Sequence, residues 1–224
     1  MTLNPSIRKV TPAVQPQAVA SYDFFDLASG KGIKTFYCGD VNSVSGANTI
    51  EYKMGTSPWY SDQGYFVRTR AEGAWIDLTF DMILNMPLVI EGETIINVPI
   101  IQKNDSGGTN NITSHTIAAL YKVDGDQAIF LGSGASVFKK NGVGNNEGIF
   151  HLHAISFDIP KTRIIPNQKM RVNVQSSGKY VQVVGFDPHG RTNDEIFDGT
   201  GAASTDWGTT TALTAQIPIV IDIS

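Results

Sequence analysis

Apolar and polar residues alternate strictly over the first half of residues 74–101. Ile76, Leu78, Phe80, Met82 and Leu84 fall on one side of an extended chain, and Asp77, Thr79, Asp81 and Ile83 on the other. A period of two predicts a strand with one buried face and one mostly wet face. Pro87 interrupts the pattern, because proline has no N–H to give to a ladder. Leu88-Val89-Ile90 resumes it, Glu91-Gly92-Glu93 has the composition of a turn, and Thr94–Ile101 is a β-branched run.

The same reading predicts short strands at Ile33–Tyr37, Thr49–Lys53 and Tyr65–Arg70, and a longer one at Ile112–Val123. Asp124-Gly125-Asp126 is a hairpin signal, and Gln127–Leu131 returns from it. Gly132-Ser133-Gly134 and Lys139–Gly148 read as loops. In residues 148–160, Ile149, His151, His153, Ile155, Phe157 and Ile159 share one face, and Pro160 is expected to end the strand. Met170, Val172 and Val174 alternate with Arg171, Asn173 and Gln175, and Ser176-Ser177-Gly178 reads as a turn. Lys179–Phe186 follows, then a polar loop over 187–208. Thr210–Ile223 closes the chain, with Leu213, Ile217, Ile219, Ile221 and Ile223 on one face.

No segment has a convincing 3.6-residue period, and no repeat of fixed length is visible. The expected fold is all-β: a two-sheet antiparallel β-sandwich with jelly-roll-like wiring. Residues 1–21 read as an extended N-terminal arm, and 22–224 as a single sandwich domain. Pro5, Pro12 and Pro16 bar helix or central strand from the arm. Its scattered apolar residues Ile7, Val10, Val14 and Val19 are the expected anchors of an arm that orders on a neighbouring subunit.

Composition narrows the function classes. Charged residues are 17% of the 224, below the roughly 25% usual in soluble domains, and the net charge is −4. No long Lys/Arg run is present, which argues against nucleic acid and against a polybasic membrane patch. Cys38 is the sole cysteine, so an intramolecular disulfide and a cysteine-based zinc cage are excluded. No signal-peptide segment and no long apolar run is seen. The expectation is synthesis in a host cytoplasm without export, and a place in a virion.

Candidate chemistry is sparse. Gly30-Lys31-Gly32 lacks the spacing of a phosphate-binding loop. His151 and His153 lie i and i+2 on a strand, so both can reach one ion, but no third ligand is indicated. Asp77 and Asp81 share a strand face, where carboxylates ordinarily serve solvation rather than glycoside hydrolysis. Asp187, Asp194, Glu195 and Asp198 lack calcium-loop spacing. Trp59, Tyr60 and Trp207 are loop aromatics suited to a subunit interface or to stacking on a sugar face. The expectation is therefore no catalytic, cofactor or metal site, and no enzyme.

Several phrases together carry a resemblance: YDFFDLASGKGIKTFY, DLTFDMILNMPLVIEGETIINVPI, FDIPKTRIIPNQKMRVNV, VGFDPHGR and the terminal IPIVIDIS. As a set, spread over most of residues 22–223, they resemble all-β structural proteins of tailed-phage virions. The resemblance implies a capsid decoration (cement) protein that binds the major capsid protein or other virion proteins, as a homotrimer. The alternative it implies is a glycan- or receptor-binding module of a tail or fibre.

Overall fold

A computed structural model describes residues 31–42, 50–57, 66–69, 74–186 and 212–220. These residues form eleven strands. They are β1 (Lys31–Asn42), β2 (Ile50–Gly55), β3 (Phe66–Thr69), β4 (Trp75–Ile83), β5 (Leu88–Lys103), β6 (Asn110–Asp124), β7 (Gln127–Val143), β8 (Gly148–Ile164), β9 (Lys169–Gly178), β10 (Val181–Gly185) and β11 (Thr214–Val220). The all-β expectation holds. The strands do not divide into two separate sheets: hydrogen bonding runs continuously in the order β3-β10-β5-β11-β1-β2-β4-β9-β6-β7, with β8 on the other edge of β5. All pairings are antiparallel except β2 with β4, which touch at the one register pair Lys53 and Asp81.

The sheet curls so that two flanks face each other. One flank is built on β5 and β8, which pair from Leu88–Ile164 to Lys103–Gly148. The other is β4-β9-β6-β7. The alternation read from β4 is the alternation seen: Ile76, Leu78 and Phe80 are buried while Trp75 and Asp77 are exposed. Met170, Val172 and Val174 of β9 and Ala118 and Leu120 of β6 continue the buried layer. Ile90, Ile96, Val98, Ile100 and Ile155 meet it from the opposite flank. Tyr52, Phe80 and Phe186 interlock edge to face, with centroids 5.6–5.9 Å apart. Aromatic rings favour this arrangement because a positive ring edge meets a negative face.

Five local expectations are corrected. Residues 139–143, read as loop, are the end of β7. Glu91-Gly92-Glu93 is no turn; β5 runs through it. Gly92 has φ +113°, and the register with β8 shifts between Ile90 and Gly92, where Pro160 and Lys161 of β8 stand opposite Glu91 alone; the extra residue is on β8, and Gly92 takes the backbone bend beside this bulge. Pro160 does not end β8, because it falls at that same shift, among residues with no partner on β5. Gly132-Ser133-Gly134 lies inside β7. A Cβ on Gly132 would stand 2.8 Å from the Asp158 carbonyl oxygen, and one on Gly134 would stand 2.9 Å from that of Ser156. These glycines let β7 settle on the backbone of β8. Ser176-Ser177-Gly178 ends β9 as strand, and the turn comes after it, at Tyr180 with φ 67°. The hairpin at Asp124-Gly125-Asp126 is where it was expected, with Gly125 at φ +57°.

Candidate functional site

The inner face of β6 changes character along its length. Leu120 and Ala118 belong to the apolar core, but Thr116 and Ser114 are fully buried polar residues. Thr116 and Ser176 share a hydroxyl–hydroxyl bond of 2.8 Å. Gln182 of β10 donates its amide N–H to the same Ser176 oxygen. Gln102 of β5 donates to the Thr113 carbonyl at 2.9 Å. Gly178 is the clearance for this amide, since a Cβ there would collide with the Gln102 nitrogen.

Beyond this ladder lies a histidine pair. His151 and His153 do share one face of β8, as the alternation requires, and both are buried. Their Nε2 atoms converge on the one hydroxyl of Ser114, at 2.9 and 2.8 Å. Phe138 of β7 stacks on His151, with ring centroids 3.8 Å apart and 7° between planes. A hydroxyl donates one proton, so one Nε2 accepts from Ser114 while the other donates to it. His151 Nδ1 is buried with no partner among the described residues. A bare lone pair there costs less than a stranded N–H, so His151 is best written as the Nε2–H donor and His153 as the acceptor.

Burial pushes both imidazoles toward the neutral form. His151 is lowered to about 3, by desolvation and then by the charge of His153. His153 is lowered to about 4, by desolvation and then by His115. Two neutral imidazole nitrogens on one centre are the donors a borderline-soft cation takes. Ser114 already occupies their convergence point, and the described residues contain no group of three or more His, Cys, Asp or Glu suited to a metal. Ser114 and Phe138 are the partners missed in the sequence; the register of β6 and β7 against β8 decides them.

On the outer face of the same flank, Asp81 takes a two-pronged hydrogen bond from Arg171, at 2.6 and 2.8 Å. Burial alone would raise the Asp81 pKa; the Arg171 hydrogen bond and charge, helped by Lys169, hold it below the usual range. Asp77 accepts from Asn173 at 2.7 Å and from Gln175 at 3.0 Å. The two carboxylates thus share a face, as expected, and each is held by β9. A groove of about 660 Å³ opens at the β2–β4 seam, lined by Tyr52, Met54, Met82 and Ile83, with Glu51, Lys53, Asp81 and Lys169 at its polar wall. Glu51 and Lys53 pair at 3.0 Å. Cys38 is buried, and burial pushes its thiol far up, so it packs as a small apolar group.

Residues Ile7, Val10, Val14 and Val19 of the arm, the aromatics Trp59, Tyr60 and Trp207, and the loop acids Asp187, Asp194, Glu195 and Asp198 lie outside the described residues. No helix among the described residues is long and apolar enough to cross a membrane.

No family model matches the chain, and no curated protein matches it. Among solved structures it is similar to a CocE/NonD family hydrolase from Staphylococcus aureus, with 9% identity and a TM-score of 0.49 over 85% of this chain. The chain spans 37% of that hydrolase's length. It is also similar to the enzymatically active domain of bacteriophage CBA120 tailspike protein 4, with 11% identity and a TM-score of 0.28 over 72% of this chain and 19% of that one. A third likeness is to the structure of infectious bursal disease virus Gx strain, with 13% identity and a TM-score of 0.25 over 96% of this chain and 43% of that one. The expectation that the chain is no enzyme is corrected by the first of these, which is a hydrolase. Fold does not assign chemistry, and likenesses below a TM-score of 0.5 carry no assignment of activity to this chain.

Proposed function

We propose that the chain is a structural component of a tailed-phage virion, a decoration protein that binds the major capsid protein where capsomers meet. The observation that carries this reading is an exposed apolar group at one end of the β4–β9 flank. Ile83, Met86 and Ile165 are 56%, 75% and 45% exposed. They stand on two segments tied together by the backbone bonds of Leu84 to Asn167 and Gln168. Apolar side chains gathered on a rigid end are the usual core of a protein–protein contact. A low content of charged residues and the phrases that resemble those of virion proteins support the same reading. Residues 1–21 would add binding by ordering on the neighbour, and many copies on one shell would act through avidity.

The test is co-sedimentation of the purified chain with phage capsids. Binding is expected for the whole chain. It is expected to fall with Met86→Lys plus Ile165→Lys, and to be lost on deletion of residues 1–20 while the domain stays folded by circular dichroism. Full decoration by the truncated chain removes the arm from the account. No decoration by the whole chain removes the capsid role.

A further inference from the structure

β7 is a long edge strand whose usual protections are few: a bulge at Leu131 and two lysines, Lys139 and Lys140, toward its far end. Among the described residues it ladders only to β6. Edge strands are normally blunted by charge or proline; β7 carries neither from Gln127 to Phe138. Its inner side is used, since Gly132 and Gly134 rest on β8. Its free edge and outer face remain, with Phe130 and Val137 56% and 52% exposed.

The order of residues along that outer face says what pairs with it. The ladder to β6 matches Leu120 with Gly132 and Tyr121 with Phe130, so Leu131 is an extra, bulged residue. The outward positions are therefore Ala128 and Phe130 before the bulge, with the exposed Asp126 next to them in the turn, beyond the strand. After the bulge they are Ser133, Ala135, Val137 and Lys139, and every one of these residues is exposed. A second copy laid antiparallel on the free edge, with its two-fold axis at Ser133, keeps the bulge in both strands. Phe130 of one copy then falls opposite Ala135 of the other, Ala128 opposite Val137, and Asp126 opposite Lys139. Each large side chain meets a small one, and each acid meets a base. A two-fold contact requires this self-complementarity, and cross-strand pairs of this kind stabilise a sheet.

We propose that β7 is a homodimer seam, joining two copies of this chain by antiparallel strand pairing centred on Ser133. The seam needs no capsid, so it stands or falls separately from the virion reading. A two-fold seam closes as a dimer, where the trimer expected from the resemblance needs a different, head-to-tail contact.

Light scattering on the purified chain is expected to give a dimer. Ser133→Cys, oxidised mildly, is expected to cross-link to its own copy, because directly opposed residues lie about 4.5–5.5 Å apart, within disulfide reach. Ala135→Cys, displaced from its own copy, is expected not to, and buried Cys38 supplies no background. Lys139→Asp is expected to weaken the dimer about tenfold by reversing two symmetry-related pairs. Asp126→Lys combined with Lys139→Asp is expected to restore it. A monomer at every concentration, as when β7 is covered by its own chain, overturns the proposal. So does a trimer, or a dimer that Ser133→Cys fails to lock or that ignores the charge reversal.

Discussion

The space between the two flanks is filled by two unlike materials. Where Phe80, Val172 and Leu120 sit side by side on β4, β9 and β6, the filling is apolar, and the opposite flank answers with isoleucine and valine. Two rows further along the same strands, Ile76, Ser176 and Thr116 are neighbours, and then Ser114 meets the two histidines. The apolar part is indifferent to partners and sensitive only to volume. The polar part has the reverse character: its members must find particular atoms, and two of them titrate. Stability should therefore rest on the first, and acid sensitivity and strand register on the second.

The largest expected effect breaks the apolar part. Phe80 is fully buried and contacts the rings of Tyr52 and Phe186. Phe80→Ala is expected to cost about 3–5 kcal/mol, as cavity plus lost transfer energy, read as a shift in the denaturant midpoint at neutral pH. An effect below about 1 kcal/mol would mean that this end is not the centre of the core.

Acid should act on the polar part. Both histidines titrate lower in the folded protein than in the unfolded chain, so the folded state binds fewer protons. Their contribution is whole above about pH 6.5 and is lost as the pH falls toward 4 and 3. The expected loss by pH 4 is on the order of 3 kcal/mol for each histidine. His115 is the other ionisable group whose charge bears on His153. His151→Gln with His153→Gln keeps a polar pair that cannot take a proton, and should flatten the profile between pH 6.5 and 4. A profile that keeps its slope in the double variant would place the acid response elsewhere.

Much of the apolar part was legible in the sequence, because alternation in β4, β8 and β9 fixes which side chains turn inward without regard to what they meet. The polar part was legible only by half. His151 and His153 announce a shared face, but Ser114 and Phe138 enter through the register of strands far apart in the chain, and register leaves no local mark. The misread glycine tripeptides at 91–93, 132–134 and 176–178 have one cause. Glycine signals a turn when the chain must reverse, and it signals close approach when another backbone lies against it. Gly92 serves a bulge and Gly134 a contact with β8, and composition does not separate either from a turn. Gly134→Ala tests the second case: the clashing atom at 2.9 Å is a backbone oxygen that cannot rotate away, beside the Ile155 methyl at 2.8 Å. A loss of about 1–3 kcal/mol is expected. No loss would mean that β7 and β8 separate easily.

The smallest effect lies on the outside of the flank and bounds the comparison. The Asp81–Arg171 pair joins β4 to β9 with good two-pronged geometry, yet it stands partly in water. Such pairs are worth little, because solvent screens the charges and two side chains must be held still. A double-mutant cycle with Asp81→Asn and Arg171→Gln is expected to give a coupling of about 0.5–1 kcal/mol. Its pH signature differs from that of the histidines. Asp81 titrates lower folded than unfolded, so its contribution is present above the ordinary carboxylate range and is lost only as the pH falls below it. In the background that lacks both histidines, a residual acid loss should begin below about pH 4 and should shrink when Asp81 is replaced. If it begins instead near pH 6, the outer face and the inner polar part are coupled through β9, and the two regions are one.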